Sequence, residues 1–454
     1  MDGSRSASGV AGMGMLQMML DYLRIRHRAG MNQGQIRAYQ RREAQRLVRY
    51  AVDNAPFYRR HYRGYDLDDV WRLPTVNKEL MMDNLSECNT VGLTKKEIME
   101  FCLRVEETRD FSARLHGYAV GMSSGTSGNK GVEITSQREE DLLRAYLFAV
   151  FPRPEGKMNL AFILRVSSPA FNIDRFGHRL TYISQLNSLE VIREKLEKLQ
   201  PNAISAPASM LRILADEHQA GRLRVAPEML VSYAEVLAPD VEQYLEEVFD
   251  CEVYEIYKAT EGAIAASRPC GNLHINEDLV AVELYDEHGE PTPPGEPCHT
   301  MLVTNLVKTA LPFIRYELND VVTIREEPCH CGSSFRVIES IQGRADDIFW
   351  APRVTGGYQF IFPDYIRRAI ISSSDAILDY RVVQERPDRV MVYLRLEPYT
   401  DEDETTCMVR EQLEDVFQEY GCEVPSVIVR SGLPERDRGD KLIRVRRDFE
   451  VGET

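Results

Sequence analysis

The chain has 454 residues, 43% apolar and 28% charged, enough for about two or three folding units with the balance of an ordinary globular protein. Its net charge of −16 argues against nucleic acid as the main ligand, because phosphate backbones need a basic surface, but it leaves room for a local basic cradle. No run of about 18 apolar residues occurs, so no membrane span is expected; nine scattered cysteines, an odd number, suit a reducing compartment, with the cytoplasm the expected location.

Residues 1–10 read as disordered. The apolar stretch 13–23 is interrupted by Gln17 and Asp21, which makes it a poor secretory signal and a better amphipathic helix. Helical periodicity continues to residue 54 with a break near 30–34, and Tyr39, Leu47, Val48 and Ala51 share one apolar face. Pro56-Phe57-Tyr58 ends that pattern, Leu73-Pro74-Thr75 marks a turn, and a helix is expected over 77–85.

The densest run of turn residues is Ser123-Ser124-Gly125-Thr126-Ser127-Gly128-Asn129-Lys130-Gly131, ahead of Val132-Glu133-Ile134-Thr135. Its glycines let backbone N–H groups turn inward without Cβ clashes. Hydroxyls and a lysine add donors, giving a concave array of the kind that holds polyphosphate. A mobile Gly/Ser linker has the same composition, yet the alternation of Val132 and Ile134 resumes at once, as if the loop ran straight into a strand. No Gly-Lys-Ser/Thr follows four residues after a glycine, so this is not a Walker loop.

Beyond it strands are expected over 159–166, 203–206, 229–233 and 252–256, alternating with helices over 188–199, 209–218 and 239–249. Repeats of this length imply a parallel sheet covered by helices, and ligands collect at the carboxyl ends of such strands. Tyr257-Lys258-Ala259-Thr260-Glu261-Gly262 is therefore expected at a site edge, as the segment following its strand. Residues 279–324 change to short alternating strands with Gly289, Pro291, Pro293, Pro294 and Gly295 as turns. A boundary is expected at 343–347, followed by a small α+β unit with strands at 378–384, 389–396 and 424–430 and a helix over 402–420.

Four separated motifs fall in a fixed order: residues 123–131, Tyr257 to Glu261, Arg315-Tyr316-Glu317-Leu318-Asn319-Asp320, and Gly343-Arg344-Ala345-Asp346-Asp347, with Lys441 near the C-terminus. With this set the chain resembles the adenylate-forming superfamily of acyl-CoA ligases and adenylation domains, and within it the phenylacetate-CoA ligase-like branch. That branch also includes the ligase that attaches AMP to a deazaflavin coenzyme. The resemblance covers nearly the whole chain. It implies an α/β fold: a large N-terminal domain, residues 1–343, of parallel sheets covered by helices plus a small β-barrel-like part, and a small mobile C-terminal α+β domain, residues 344–454.

The resemblance also implies roles. Ser123, Ser124, Gly125, Thr126, Ser127, Gly128 and Lys130 would hold the β- and γ-phosphates of ATP while charge moves onto the leaving pyrophosphate. Thr260 and Glu261 match the positions that contact the α-phosphate and hold Mg2+, for which a carboxylate is the expected ligand; otherwise they read as a helix start with Thr260 as cap. Asp320 would accept both ribose hydroxyls, with Arg344 as a second contact. Ala234 and Glu235, after Tyr233, would frame adenine and Tyr257 would stack on it, although a tyrosine beside a strand is often plain core. Lys441 would reach the α-phosphate and the acid's carboxylate as a point cation, and Asp346 would be the hinge of a gating rotation. The chain departs from the pattern in its short Gly128-Asn129-Lys130-Gly131 turn, which displaces the loop lysine, and in Glu317, where an arginine is usual. After Asp347 a longer loop replaces the one that helps line a pantetheine tunnel, which weakens the case for CoA.

Cys270 and His274, with Cys329-His330-Cys331 about sixty residues on, offer three thiolates and an imidazole, a closed tetrahedral set for structural Zn2+. The spacing is no standard finger; some members of the branch carry zinc here with similar Cys and His positions, and free buried thiols are the other reading. His330 could substitute for one of the four.

The implied function is ATP-dependent activation of a carboxylic acid, an aromatic one by resemblance, as acyl-AMP. The acceptor is open among CoA, a carrier-protein thiol, an amine or none. Adenylyl transfer to a hydroxyl, and a zinc-stapled nucleotide-binding protein without turnover, compete with it; Lys441, Asp320 and Glu261 argue against the last. The acid pocket is expected between residues 165–184 and 205–210, lined partly by Phe171, Phe176 and Tyr182, with His178 more incidental than functional. Partners are the small-molecule acid and ATP, with no nucleic acid and no membrane, and a homodimer is left open.

Overall fold

The computed structural model describes all residues except 1–4, 123–130, 165–173, 176–177, 236, 238, 287, 319, 343–348, 362, 375, 399, 434–444 and 450–454. The chain divides into two compact units, one over 1–122 and 132–343 and one containing 344–454. No helix is long and apolar enough to cross a membrane among the described residues.

Among the described residues the larger unit begins with six α-helices: α1 (Arg5–Ala29), α2 (Gln33–Asn54), α3 (Pro56–His61), α4 (Lys78–Asp83), α5 (Leu85–Cys88) and α6 (Lys95–Thr108). In α2 the buried residues Ile36, Tyr39, Ala44, Leu47, Val48 and Ala51 recur at helical spacing, and Asn32 with Gln35 closes a capping box at its start. The single helix expected over 77–85 is two short ones. The Asn84 side chain and N–H both bond the Leu80 carbonyl, which ends α4 there.

Strands β1 (Ala119–Met122) and β2 (Val132–Thr135) pair antiparallel with Met122 opposite Val132. Ser136 and Glu139 box the start of α7 (Gln137–Val150). Then come β3 (Asn159–Leu164), β4 (Asp174–Arg175), β5 (His178–Ser184), α8 (Leu189–Leu199), β6 (Ala203–Ala206), α9 (Ala208–Gln219), β7 (Met229–Tyr233), α10 (Pro239–Phe249), β8 (Glu252–Ala259), β9 (Gly262–Ser267) and β10 (Leu273–Ile275). They form one sheet in the order β10-β9-β8-β7-β6-β3-β5-β4. The run β5-β3-β6-β7-β8 is parallel, and β4, β9 and β10 add antiparallel edges. The central strands are short apolar runs because both faces are covered; every residue of β6 is buried.

The short strands after residue 279 are β11 (Val280–Tyr285), β12 (Thr300–Asn305) and β13 (Tyr316–Leu318) in one sheet, and β14 (Val321–Ile324) with β15 (Ile338–Gln342) in another. Val280, Val282, Met301 and Val303 from this part share a core with Leu47, Val48 and Ala51 of α2. The smaller unit holds the hairpin β16 (Phe349–Pro352) and β17 (Tyr358–Ile361), then α11 (Pro363–Ser373), β18 (Ile377–Arg386), β19 (Arg389–Leu396), α12 (Glu402–Glu419), β20 (Ser426–Ser431) and β21 (Val445–Arg447). Its four-stranded sheet runs β20-β19-β18-β21, and Ile366, Ile370, Val382, Val392, Leu413 and Phe417 join in its own core.

Candidate active site

The carboxyl ends of β6, β7 and β8 lie side by side, because Ala206 is in register with Ser232 and Tyr233 with Ile256. Just past β7, Ala234 takes a left-handed conformation at φ 71°. Glu235 accepts the Ser209 N–H at the start of α9, at 2.9 Å. Strand β8 does not stop at residue 256. It continues through Ala259 and turns directly into β9 with Ala259 opposite Gly262. Thr260 and Glu261 are therefore the two residues of a tight hairpin turn, not a helix start with a threonine cap.

Tyr257 points from β8 to Asp320, its hydroxyl donating to Oδ2 at 2.6 Å; a hydrogen bond to a carboxylate is of the stronger kind. Glu261 is buried, and its carbonyl accepts from Asn305 Nδ2 at 2.7 Å. The approach is so close that a Cβ on Gly262 would lie 2.4 Å from that nitrogen, so a side chain here would push the Asn305 amide off the Glu261 carbonyl. Lys258, on the strand face opposite Tyr257, pairs with Glu133 of β2 at 3.1 Å. Lys308 reaches the other oxygen of Glu133 at 2.7 Å. Burial would raise the Glu133 carboxyl, but the two ammonium groups outweigh it and hold it at about 2. Burial likewise opposes the charge of Lys258, and Glu133 outweighs that, raising it above the ordinary lysine value.

A second constellation lies on β10, the turn before it and the connection between β14 and β15. Cys270, His274, Cys329 and Cys331 place their ligand atoms within 4.8 Å of one another. His274 Nε2 is 3.6 Å from both Cys270 Sγ and Cys331 Sγ, and Cys270 Sγ is 3.8 Å from Cys329 Sγ. A tetrahedral ion with metal–sulfur bonds of about 2.3 Å and a metal–nitrogen bond of about 2.0 Å has edges of roughly these lengths. His274 Nδ1 is hydrogen-bonded to the Phe335 carbonyl at 2.9 Å, which leaves Nε2 for a metal. Burial pushes His274 down to about 4, so the ring is in the neutral form a ligand needs. The Asn272 amide donates to Cys329 Sγ at 3.3 Å. His330 is exposed and outside the cluster, so it substitutes for none of the four.

No family model matches the chain. It is 25% identical over 421 residues to a phenylacetate-coenzyme A ligase of Thermus thermophilus, covering 86% of this chain and 84% of the relative. With the phenylacetate-coenzyme A ligase of Escherichia coli it shares 22% over 444 residues, 90% of this chain and 94% of that one. A 2-hydroxyisobutyryl-CoA ligase solved with 2-HIB-AMP and CoA has the same fold, with a TM-score of 0.63 at 18% identity over 93% of this chain and 92% of that one. Over most of its length the chain is thus similar to phenylacetate-coenzyme A ligases, and it shares the fold of a solved acyl-CoA ligase.

The structure brings Tyr257 to Asp320 and sets Thr260 and Glu261 in the adjoining turn. Ala234 and Glu235 stand at the end of the neighbouring strand. Ser123, Ser124, Gly125, Thr126, Ser127, Gly128, Lys130, Arg344, Asp346 and Lys441 lie outside the described residues, as do Phe171 and Phe176. Tyr182 donates to the Leu164 carbonyl at 3.0 Å. His178 Nδ1 accepts the Met158 N–H at 3.1 Å while its ring meets Phe148, a strand-edge role in keeping with the incidental reading.

Sequence reasoning missed the Glu133, Lys258 and Lys308 cluster and Asn305. The one local signal is three charges set among the apolar residues of β2, β8 and the segment after β12. For Tyr257→Phe, loss of the bond to Asp320 is expected to weaken AMP binding about tenfold. Calorimetric titration with AMP checks it.

Proposed function

We propose that the protein activates a carboxylic acid with MgATP. The acid's carboxylate oxygen attacks the α-phosphorus, the bond to the bridging α,β-oxygen breaks, pyrophosphate leaves with that electron pair, and acyl-AMP remains. A CoA thiolate then attacks the acyl carbon and AMP departs. The observation that carries this reading is the Tyr257–Asp320 hydrogen bond one tight turn from Glu261, which joins a ribose-type acceptor to a metal-type carboxylate on adjacent elements.

Tyr257, Ala234 and Glu235 frame adenine, and Asp320 with Arg344 takes the ribose. Thr260 meets the α-phosphate, Glu261 holds Mg2+, and Ser123, Ser124, Gly125, Thr126, Ser127, Gly128 and Lys130 hold the leaving pyrophosphate. Lys441 neutralises charge at the α-phosphate. Residues 1–343 and 344–454 act as large and small domains, with rotation about Asp346 separating the half-reactions. Cys270, His274, Cys329 and Cys331 hold a structural Zn2+; with all four positions filled by protein, the metal joins two loops and takes no part in the chemistry. An aromatic acid is the proposed substrate class.

Pyrophosphate exchange screened over aryl, alkyl and amino acids tests the reading. Exchange with none of them, or a product heavier by an adenylyl group and no free AMP, overturns it. Lys441→Ala is expected to lower exchange at least about a hundredfold with an unchanged unfolding midpoint; near-wild-type exchange would remove Lys441 from the mechanism.

A further inference from the structure

The Thr260–Glu261 turn is closed into a ring of contacts that starts and ends on it. From the Glu261 carbonyl the ring passes to Asn305 Nδ2 at 2.7 Å. The Asn305 Oδ1 accepts the Lys308 N–H at 3.1 Å. Lys308 Nζ then reaches Glu133 Oε1 at 2.7 Å, and Glu133 Oε2 accepts from Lys258 Nζ at 3.1 Å. Lys258 precedes Thr260 by two residues in the same strand, which returns to the turn.

The ring has little freedom. Asn305 and Lys308 are buried, at 3% and 5% exposure. All three N–H groups of the Lys308 ammonium are used, on Glu133, on the Ile134 carbonyl at 3.3 Å and on Thr135 Oγ1 at 2.9 Å. Glu133 and Lys258 keep 25% and 18% of their side-chain surface. Withdrawn ion clusters of this kind add little net stability compared with apolar packing. What such a cluster supplies is fixed geometry, the condition for a carboxylate that must hold an ion at a set position.

We infer that Glu133, Lys258, Asn305 and Lys308 are positioning residues that fix the Thr260–Glu261 turn for magnesium and phosphate, with Glu133 as the member that joins both lysines. The inference rests on the proposed role of Glu261. It assigns no contact with the nucleotide to the four residues, which act through the turn. The adenosine end of the site, held by Tyr257 and Asp320, is outside the ring, so the two ends respond differently when the ring is opened.

The test is calorimetric titration of the full-length protein with MgATP and, separately, with AMP in the absence of magnesium. Glu133→Gln is expected to weaken MgATP about tenfold, the lower end of what is lost with a supporting partner of a metal ligand, and to leave AMP within about twofold. Glu133→Gln leaves two lysines facing each other; if it does not fold, Lys258→Met keeps the Glu133–Lys308 pair and gives the same readout. Lys258→Arg restores MgATP affinity to within about threefold of wild type, because a cation again meets Glu133. Equal losses for MgATP and AMP, or no loss for either, overturn the inference. Failure of the reading beneath it looks different: Glu261→Gln then binds MgATP as tightly as wild type does, or wild type does not bind it.

Discussion

Replacing Glu261 with glutamine is expected to lower magnesium-dependent pyrophosphate exchange roughly a hundred- to a thousandfold, the range for losing one preorganised electrostatic contact. The substitution keeps the shape of a buried side chain and the backbone contact of its carbonyl with Asn305. Only the negative charge is lost, and an oxygen-seeking hard cation responds to that charge. The mutant is therefore expected to unfold at the wild-type midpoint and to regain part of its activity at high magnesium. Exchange within about threefold of wild type at ordinary magnesium would remove Glu261 from the metal and turn attention to carboxylates elsewhere.

Purified protein is expected to contain one zinc per chain, and Cys329→Ser to lose it together with roughly 5–10 °C of thermal midpoint. Binding energy at a structural site is folding energy, because the unfolded chain offers no formed site. The ligands sit at two places in the larger unit: Cys270 and His274 around the turn into β10, and Cys329 with Cys331 in the connection between β14 and β15. Loss of the ion therefore unties that connection from β10, where His274 also bridges Val337. Metal analysis beside a thermal melt decides it. Protein without stoichiometric zinc, or zinc content unaffected by Cys329→Ser, rejects the site.

The parallel sheet was legible because its central strands are covered on both faces and so appear as apolar runs, as in Ala203-Ile204-Ser205-Ala206 and Met229-Leu230-Val231. The end of β8 was not. Lys258 interrupts such a run and suggests a loop, while the acid that neutralises it is Glu133, 125 positions earlier, and no local window contains both. The split at Asn84 was hidden for a smaller reason, a side chain bonding back to its own helix. The ordered motifs carried Tyr257 and Asp320, whose contact spans 63 positions. Spacing alone said little about the Cys and His residues. It is the pairing of β9 with β10, with Leu273 opposite Ser267, that turns Cys270 and His274 toward each other.

The two-residue turn between β8 and β9 also implies an order of assembly. A hairpin closed by adjacent residues forms on the microsecond scale from local contacts, whereas partners far along the chain arrive only after long loops have closed. Asn305 is 44 positions from Glu261, and Glu133 lies 175 positions from Lys308. During synthesis Glu133 leaves the ribosome first, the hairpin next and Lys308 last. The acidic turn thus acquires its backbone shape early and completes its charge environment late: a nascent chain ending before Asn305 carries the hairpin and its partner Glu133 but lacks the Asn305 and Lys308 contacts that close the ring.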